Sequence, residues 1–264
     1  MVVAFYHWTA ALYLASGLVG SLGLALQSQR TSRAAVGLLL AGVAFHTLAF
    51  SVLHSAAAPP PLTDLPSAVS FMALVGTVFF LILLWRVKLL PLLVFVAPVA
   101  FLCVFFAALR LGAASPAPSA AAGSWPHAHV LLASAGLASL GVAGLAGLLF
   151  LHEHHRLKSK RGLQRRLPSP SLEALDRVNV TSLLVGFPLL TLGVVTGMLW
   201  VQSEIGHFWS GSAHETFSVI AWAVYAVVVI VRFTSNQGAR RAAASAVAGF
   251  ALLSFAVIGV GLLT

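Results

Sequence analysis

Ionic side chains are scarce in this sequence: only 8% of its 264 residues are charged, against roughly 25% in an ordinary soluble domain. That scarcity excludes a water-soluble globule and a disordered chain. It also excludes a nucleic-acid-binding domain, although the net charge is +9, because a basic footprint needs many cations gathered on a wet face. Cysteine is nearly absent as well, with Cys103 the single example. No intrachain disulfide framework, C-x-x-C redox pair, C-x-x-C-H haem attachment site or cysteine zinc site can be built from one thiol. Whatever chemistry the chain performs rests on histidine, carboxylate or aromatic groups.

What is abundant is apolar sequence, at 59% of all residues. A helix crosses a hydrocarbon core of roughly 30 Å with about 20 apolar residues. Eight such stretches are found, at approximately 3–26, 34–57, 67–85, 89–109, 129–151, 180–201, 214–232 and 243–263. The expected fold is therefore all-α, a polytopic membrane protein built as a bundle of eight transmembrane helices, with residues 1–264 forming one integral membrane domain and no separate soluble domain. Pro91 and Pro98 make the fourth span the one expected to kink.

Lysine and arginine resist translocation and so collect on the cytoplasmic side of short loops. The loops after spans one, three, five and seven carry fourteen of the fifteen basic residues, and the opposite set carries only Arg110. Both termini are expected outside. Met1 to Thr9 contains no basic residue, which favours an uncleaved first helix over a secretory signal. The expected setting is a bacterial cytoplasmic membrane. The longest inner connection, 152–179, is read as a basic cytoplasmic loop lying on anionic lipid headgroups. Its His152, His154 and His155 are taken as solvated, because the neighbouring arginines and lysines repel a cation.

Glycines recur at helical spacing at Gly17, Gly20 and Gly23, at Gly141, Gly144 and Gly147, and in the G-x-x-x-G pair Gly193 and Gly197. All are read as helix-packing positions, since small residues let helices approach where lipid supplies no hydrophobic drive. No inverted repeat relates the two halves, which weighs against a generic secondary transporter.

The ten histidines are the informative feature. Besides the three of the basic loop, His7, His54, His127, His129, His207 and His214 fall at or near the expected outer surface. His46 falls about halfway along span two. An imidazole at membrane depth has no water to satisfy it and should face the bundle interior, where it marks either a ligand site or a hydrogen bond to a neighbouring helix. An outer face rich in neutral histidine and in aromatics such as Trp8, Trp125, Phe208 and Trp209 suits a flat, apolar, metal-containing ligand, and haem fits that description. The alternative for Trp8, Trp125 and Trp200 is an interfacial aromatic belt.

The segment Gly206 to Ala226, GHFWSGSAHETFSVIAWAVYA, resembles the tryptophan-rich outer loop and following helix of the cytochrome c assembly membrane proteins of the CcsA and CcmC type. Gly206, Phe208, Trp209, Ser210, Glu215, Thr216, Trp222 and Tyr225 match that family's pattern W-G-x-F-W-S-W-D-P-K-E-T-W with its following T-W-x-x-Y-A helix. Gly211 and Ser212 stand where Trp-Asp is usual, Ala213 where Pro is, His214 where Lys is, and Phe217 where Trp is. LEALDRVNVTSLLVGFPLLTLGVVTGMLW, from Leu172 to Trp200, is similar to the segment leading into that loop. His129 and His46 resemble the family's outer histidine and its membrane-embedded histidine, and Pro61 to Phe71 the outer loop that follows the latter.

The resemblance implies haem, non-covalent and of b type, as the cofactor, with His129 an iron ligand at the outer surface and His46 binding or passing haem within the bundle. Phe208 and Trp209 would pack on the macrocycle. A second outer histidine belongs after the family's last helix, but the sequence given holds none beyond His214, so His214 or His207 is the candidate substitute. Glu215 either orients an imidazole or serves as a helix N-terminal acid. The altered tryptophan-rich motif and the compact eight-span length look closest to the HemX-like branch.

The function expected is binding or delivery of haem rather than catalysis, with haem and cytochrome c assembly or haem-synthesis proteins as partners and homo-oligomerisation left open. The alternative is a regulator or scaffold of tetrapyrrole biosynthesis that acts through its basic loop without haem.

Overall fold

With no water to satisfy it, backbone inside a bilayer must bond to itself, and helix is the form that does so within one segment. The computed structural model describes residues 2–55, 62, 64–86, 89–111, 124–159, 170–234 and 238–255, and these consist of helices and short connections. Its helices are α1 (Val2–Ala25), α2 (Gln29–His54), α3 (Leu65–Arg86), α4 (Leu93–Leu111, entered through a 3-10 turn at Leu90–Leu92), α5 (Ser124–Lys158), α6 (Leu172–Ile205), α7 (Ala213–Thr234) and α8 (Ala239–Ser254). Among the described residues seven helices, α1 to α7, are long and apolar enough to cross a membrane. The expected eighth span, 243–263, coincides with α8 as far as Phe255, and its remainder lies outside the described residues.

Two helices are longer than a bilayer requires. The 35 residues of α5 and the 34 of α6 correspond to about 50 Å each at 1.5 Å per residue, so both project well beyond a core of roughly 30 Å. The stretch read as a loop over 152–179 is thus helical at both ends, through Lys158 and again from Leu172, and residues 160–169 lie outside the described set. Ser171 starts α6 by accepting from the Ala174 N–H at 3.1 Å, with Glu173 in the first turn, the capping chemistry and charge that favour a helix N-terminus.

The helices divide into two compact units, α1 to α4 and α5 to α8. In the first, α1 packs on both α2 and α4 through its glycine stripe. A Cβ added at Gly23 would stand 2.6 Å from the Ser32 hydroxyl, and one at Gly17 would stand 3.1 Å from the Pro98 ring. The in-helix Pro98 of α4 is therefore seated against glycine. Ser16 donates to the Ala35 carbonyl at 2.8 Å across the same interface.

In the second unit α5 and α6 lie close enough that a Cβ on Gly136 would meet the Leu190 backbone nitrogen at 2.6 Å. Phe250 of α8 lies across Gly141 and Gly144, and Tyr225 of α7 lies against Gly249. The packing role expected of Gly141 and Gly144 agrees with those distances, and Gly136 and Gly249, not singled out from sequence, act in the same way.

Polar bonds reinforce the second unit. Asn179 donates to the Ala143 carbonyl at 2.9 Å, Trp222 Nε1 donates to Thr191 Oγ1 at 3.0 Å, and Arg232 Nη2 meets both carboxylate oxygens of Asp176 at 2.7 and 2.8 Å. The last is a partly buried ion pair between α6 and α7. Removing one partner leaves a poorly solvated charge, so Asp176→Asn should cost about 1–3 kcal/mol. The double variant Asp176→Asn/Arg232→Gln should recover part of that loss. Thermal unfolding in detergent, arranged as a double-mutant cycle, checks both.

Candidate functional site

The histidines separate sharply once their partners are known. His46, in α2, is fully buried. Its Nε2 lies 2.8 Å from Ser70 Oγ of α3 and its Nδ1 lies 3.1 Å from the Tyr13 hydroxyl of α1. The rings of Tyr6 and Tyr13 present their edges to it at centroid distances of 6.1 and 5.8 Å. A neutral imidazole has one N–H and one lone pair, so one hydroxyl donates to the ring and the other accepts from it. Both ring nitrogens are thereby used, and the residue joins three helices of the first unit.

His7 and His54 bond through Nδ1 to the carbonyl four residues earlier in their own helices, Val3 at 2.7 Å and Phe50 at 3.1 Å. His54 also stacks on Phe50, with ring centroids 4.1 Å apart.

His129 makes the same kind of bond, but to a carbonyl of another helix. It stands in the second turn of α5, half-buried, and its Nδ1 lies 2.8 Å from the Gly193 carbonyl of α6, 64 residues away in sequence. A carbonyl only accepts, so Nδ1 carries the proton and donates; Nε2 is left as the lone-pair nitrogen. A backbone acceptor of this kind fixes the tautomer and the ring orientation of a metal-binding histidine. The Trp200 ring lies 6.1 Å from the imidazole centroid, and His214 is within electrostatic reach of it.

The 206–212 loop that follows α6 is shaped by local chemistry. Gly206 caps α6 with φ +76°, and Gly211 has φ +79°, the left-handed region that glycine enters without a Cβ penalty. Ser212 Oγ accepts from the Glu215 N–H at 3.2 Å, while the Glu215 carboxylate accepts from the Ser210 N–H at 2.8 Å and from its hydroxyl at 2.5 Å. Glu215 therefore ties the loop to the start of α7, the helix-capping role anticipated for it. Phe208 and Trp209 are 52% and 42% exposed, large apolar faces left uncovered, and His207 and His214 are exposed as well.

His129, His214, Phe208, Trp209 and Glu215 belong to the second unit, and His46 belongs to the first. Trp222 and Tyr225, which carry part of the sequence resemblance, are packing residues here: Trp222 stacks on Phe187 and Tyr225 is buried against Gly249. Among the described residues no group of three or more His, Cys, Asp or Glu could hold a metal ion, so His152, His154 and His155 form no cluster; His154 stacks on Phe150 instead.

The partners Tyr13, Ser70, Gly193 and Trp200 were not singled out as site residues from sequence. The last two carried a signal, since Gly193, Gly197 and Trp200 fall at i, i+4 and i+7 on one face of a helix.

Residues 62–264 match the family described as Cytochrome C assembly protein. The chain belongs to that family. Among its relatives, the cytochrome c biogenesis protein CcsA of Prochlorococcus marinus (strain MIT 9313) is 32% identical over 195 residues, covering 63% of this chain and 61% of the relative. CcsA of Synechococcus sp. (strain RCC307) is 30% identical over 230 residues, 77% of this chain and 73% of the relative. CcsA of Chlamydomonas reinhardtii is 29% identical over 210 residues, 77% and 58% respectively. The chain thus spans about six-tenths to three-quarters of the length of these relatives. They carry the CcsA name, and the expected placement in the HemX-like branch finds no support among them. The family and the apolar helices together make this a multi-pass membrane protein; because homologues include plastid proteins, they do not specify which membrane.

Two substitutions probe the loop. Gly206→Ala forces a Cβ into positive φ and should cost about 1 kcal/mol. Glu215→Gln removes the charge from the two bonds to Ser210 and should speed proteolytic cleavage between Phe208 and Ser212 with little change in detergent melting temperature. Thermal unfolding in detergent reads the first, and the same melt with limited proteolysis followed by mass spectrometry reads the second.

Proposed function

We propose that this protein handles haem in cytochrome c biogenesis, holding or delivering it at an outward-facing site on the second unit. The observation that carries this reading is the bond from His129 Nδ1 to the Gly193 carbonyl, which leaves Nε2 as a lone-pair nitrogen on a ring flanked by Trp200. His129 would hold the iron through Nε2, and Phe208 and Trp209 would cover the macrocycle. His214, whose charge acts on His129, is the candidate second ligand. The CcsA name of the relatives supports the biogenesis assignment.

When bound, haem supplies an iron that accepts imidazole ligands and the vinyl-bearing macrocycle that is the cargo. This chain's own residues bind it, orient it and keep it at the membrane surface. Non-covalent, b-type binding is the form this chain can offer, because its single thiol, Cys103, sits within α4 of the other unit; thioether formation would draw its thiols from an apocytochrome. A role for His46 as a further ligand requires Ser70 to release Nε2. The distribution of lysine and arginine supports termini outside and inner loops on anionic lipid, in a bacterial cytoplasmic membrane.

The absorption spectrum of protein purified in detergent from haem-replete cells tests this. A Soret band is expected that is lost or strongly weakened in His129→Ala, shifted in His214→Ala, and retained in His46→Ala. A folded wild-type protein that stays spectrally blank after haem is added would overturn the reading.

A further inference from the structure

Gly193 and Gly197 read from sequence as a helix-packing pair, and their surroundings differ. A Cβ on Gly193 would stand 3.0 Å from the Ala133 nitrogen and Cα, so this glycine sets how closely α6 approaches α5. The three atoms nearest to a Cβ on Gly197 all belong to the His129 ring. That Cβ would stand 2.9 Å from Nδ1 and 3.0 Å from Cε1 of His129, inside the space the imidazole occupies.

In an α-helix the carbonyl of residue i points towards residue i+4, so a side chain at position 197 would stand beside the Gly193 oxygen. Glycine there leaves that oxygen open from the side, and the ring reaches it. The same oxygen also receives the Thr196 hydroxyl at 3.0 Å, which has the Leu192 carbonyl at 2.8 Å as its other acceptor. Trp200, one turn on, flanks the ring.

We infer that Gly193, Thr196 and Gly197 form a seat on α6 that selects which nitrogen of His129 is offered to a ligand. Gly193 supplies closeness and the acceptor, and Gly197 the room for the ring. Thr196 competes for the oxygen and so adjusts how strongly the imidazole N–H is bound. The seat deepens the haem reading, because an N–H bonded to a backbone carbonyl makes the opposite nitrogen the stronger ligand and fixes the plane in which it points. These are positioning residues acting through His129.

The test has a part that needs no haem. In the apo protein labelled with 15N-histidine, the ring nitrogens of His129, assigned by their loss in His129→Gln, should report a proton on Nδ1. Gly197→Ala should shift His129 towards the Nε2-protonated form and lower haem retention roughly tenfold or more. A proton on Nε2 in the wild type would overturn the inference, as would a His129 spectrum unchanged by Gly197→Ala.

Should Gly197→Ala fail to fold, His129→Gly supplies the second arm. Haem added to His129→Gly together with imidazole should restore the wild-type Soret band, and haem added with 1-methylimidazole, which ligates equally but has no N–H to donate, should restore it poorly. Equal rescue by both would overturn the seat. Protein that takes no haem while His129 keeps its proton on Nδ1 would overturn the haem reading above and leave the tautomer selection standing.

Discussion

Contact between helices in an apolar solvent brings no reward from removing apolar surface from water, and this constraint governs both units. Association has to come from close van der Waals approach and from polar bonds that have no better partner in lipid. Both devices appear together along the same interfaces. On α1 the glycine stripe brings backbone against Ser32 and Pro98, and Ser16 reaches the Ala35 carbonyl beside it. On α6 glycines bring backbone against α5, and Asn179 reaches the Ala143 carbonyl.

The same economy places the histidines. A polar ring admitted to a helix interface must find partners there, and the chain solves the problem in two ways. His46 is given a hydroxyl on each side, which satisfies the ring completely and spends both nitrogens on holding α1, α2 and α3 together. His129 is given one backbone acceptor, which satisfies half of it. Burial and sequence context single out His46 as the more conspicuous residue, yet the chemistry of the partners favours His129 as the one with something left to offer a ligand.

Much of the architecture was legible beforehand because it rests on composition. Runs of about 20 apolar residues must be helices in lipid, and α1 to α7 fall where those runs lie. Helix ends beyond the bilayer were less legible. The extensions of α5 to Lys158 and of α6 back to Leu172 consist of mixed polar sequence, where hydropathy is silent and capping by Ser171 with Glu173 is the surviving signal. The site was legible in its conspicuous members, His129 and the 206–212 loop. Its supporting residues were not, since a carbonyl acceptor such as that of Gly193 has no side chain to announce it. Gly197 is indistinguishable in sequence from a packing glycine, and the difference lies wholly in which neighbour fills the missing Cβ.

The bonds from Ser210 to Glu215, together with that from the Glu215 N–H to Ser212, make the latter part of the 206–212 loop an extension of α7, whereas its joint with α6 is a glycine in the left-handed region. Phe208 and Trp209 lie between that glycine and the tethered end. His129 is carried by α5 and bonded to α6. The order of the loop is thus set from the start of α7, and the other end of that helix is tied back to α6 by the Asp176–Arg232 pair, so α7 is fastened at both of its ends.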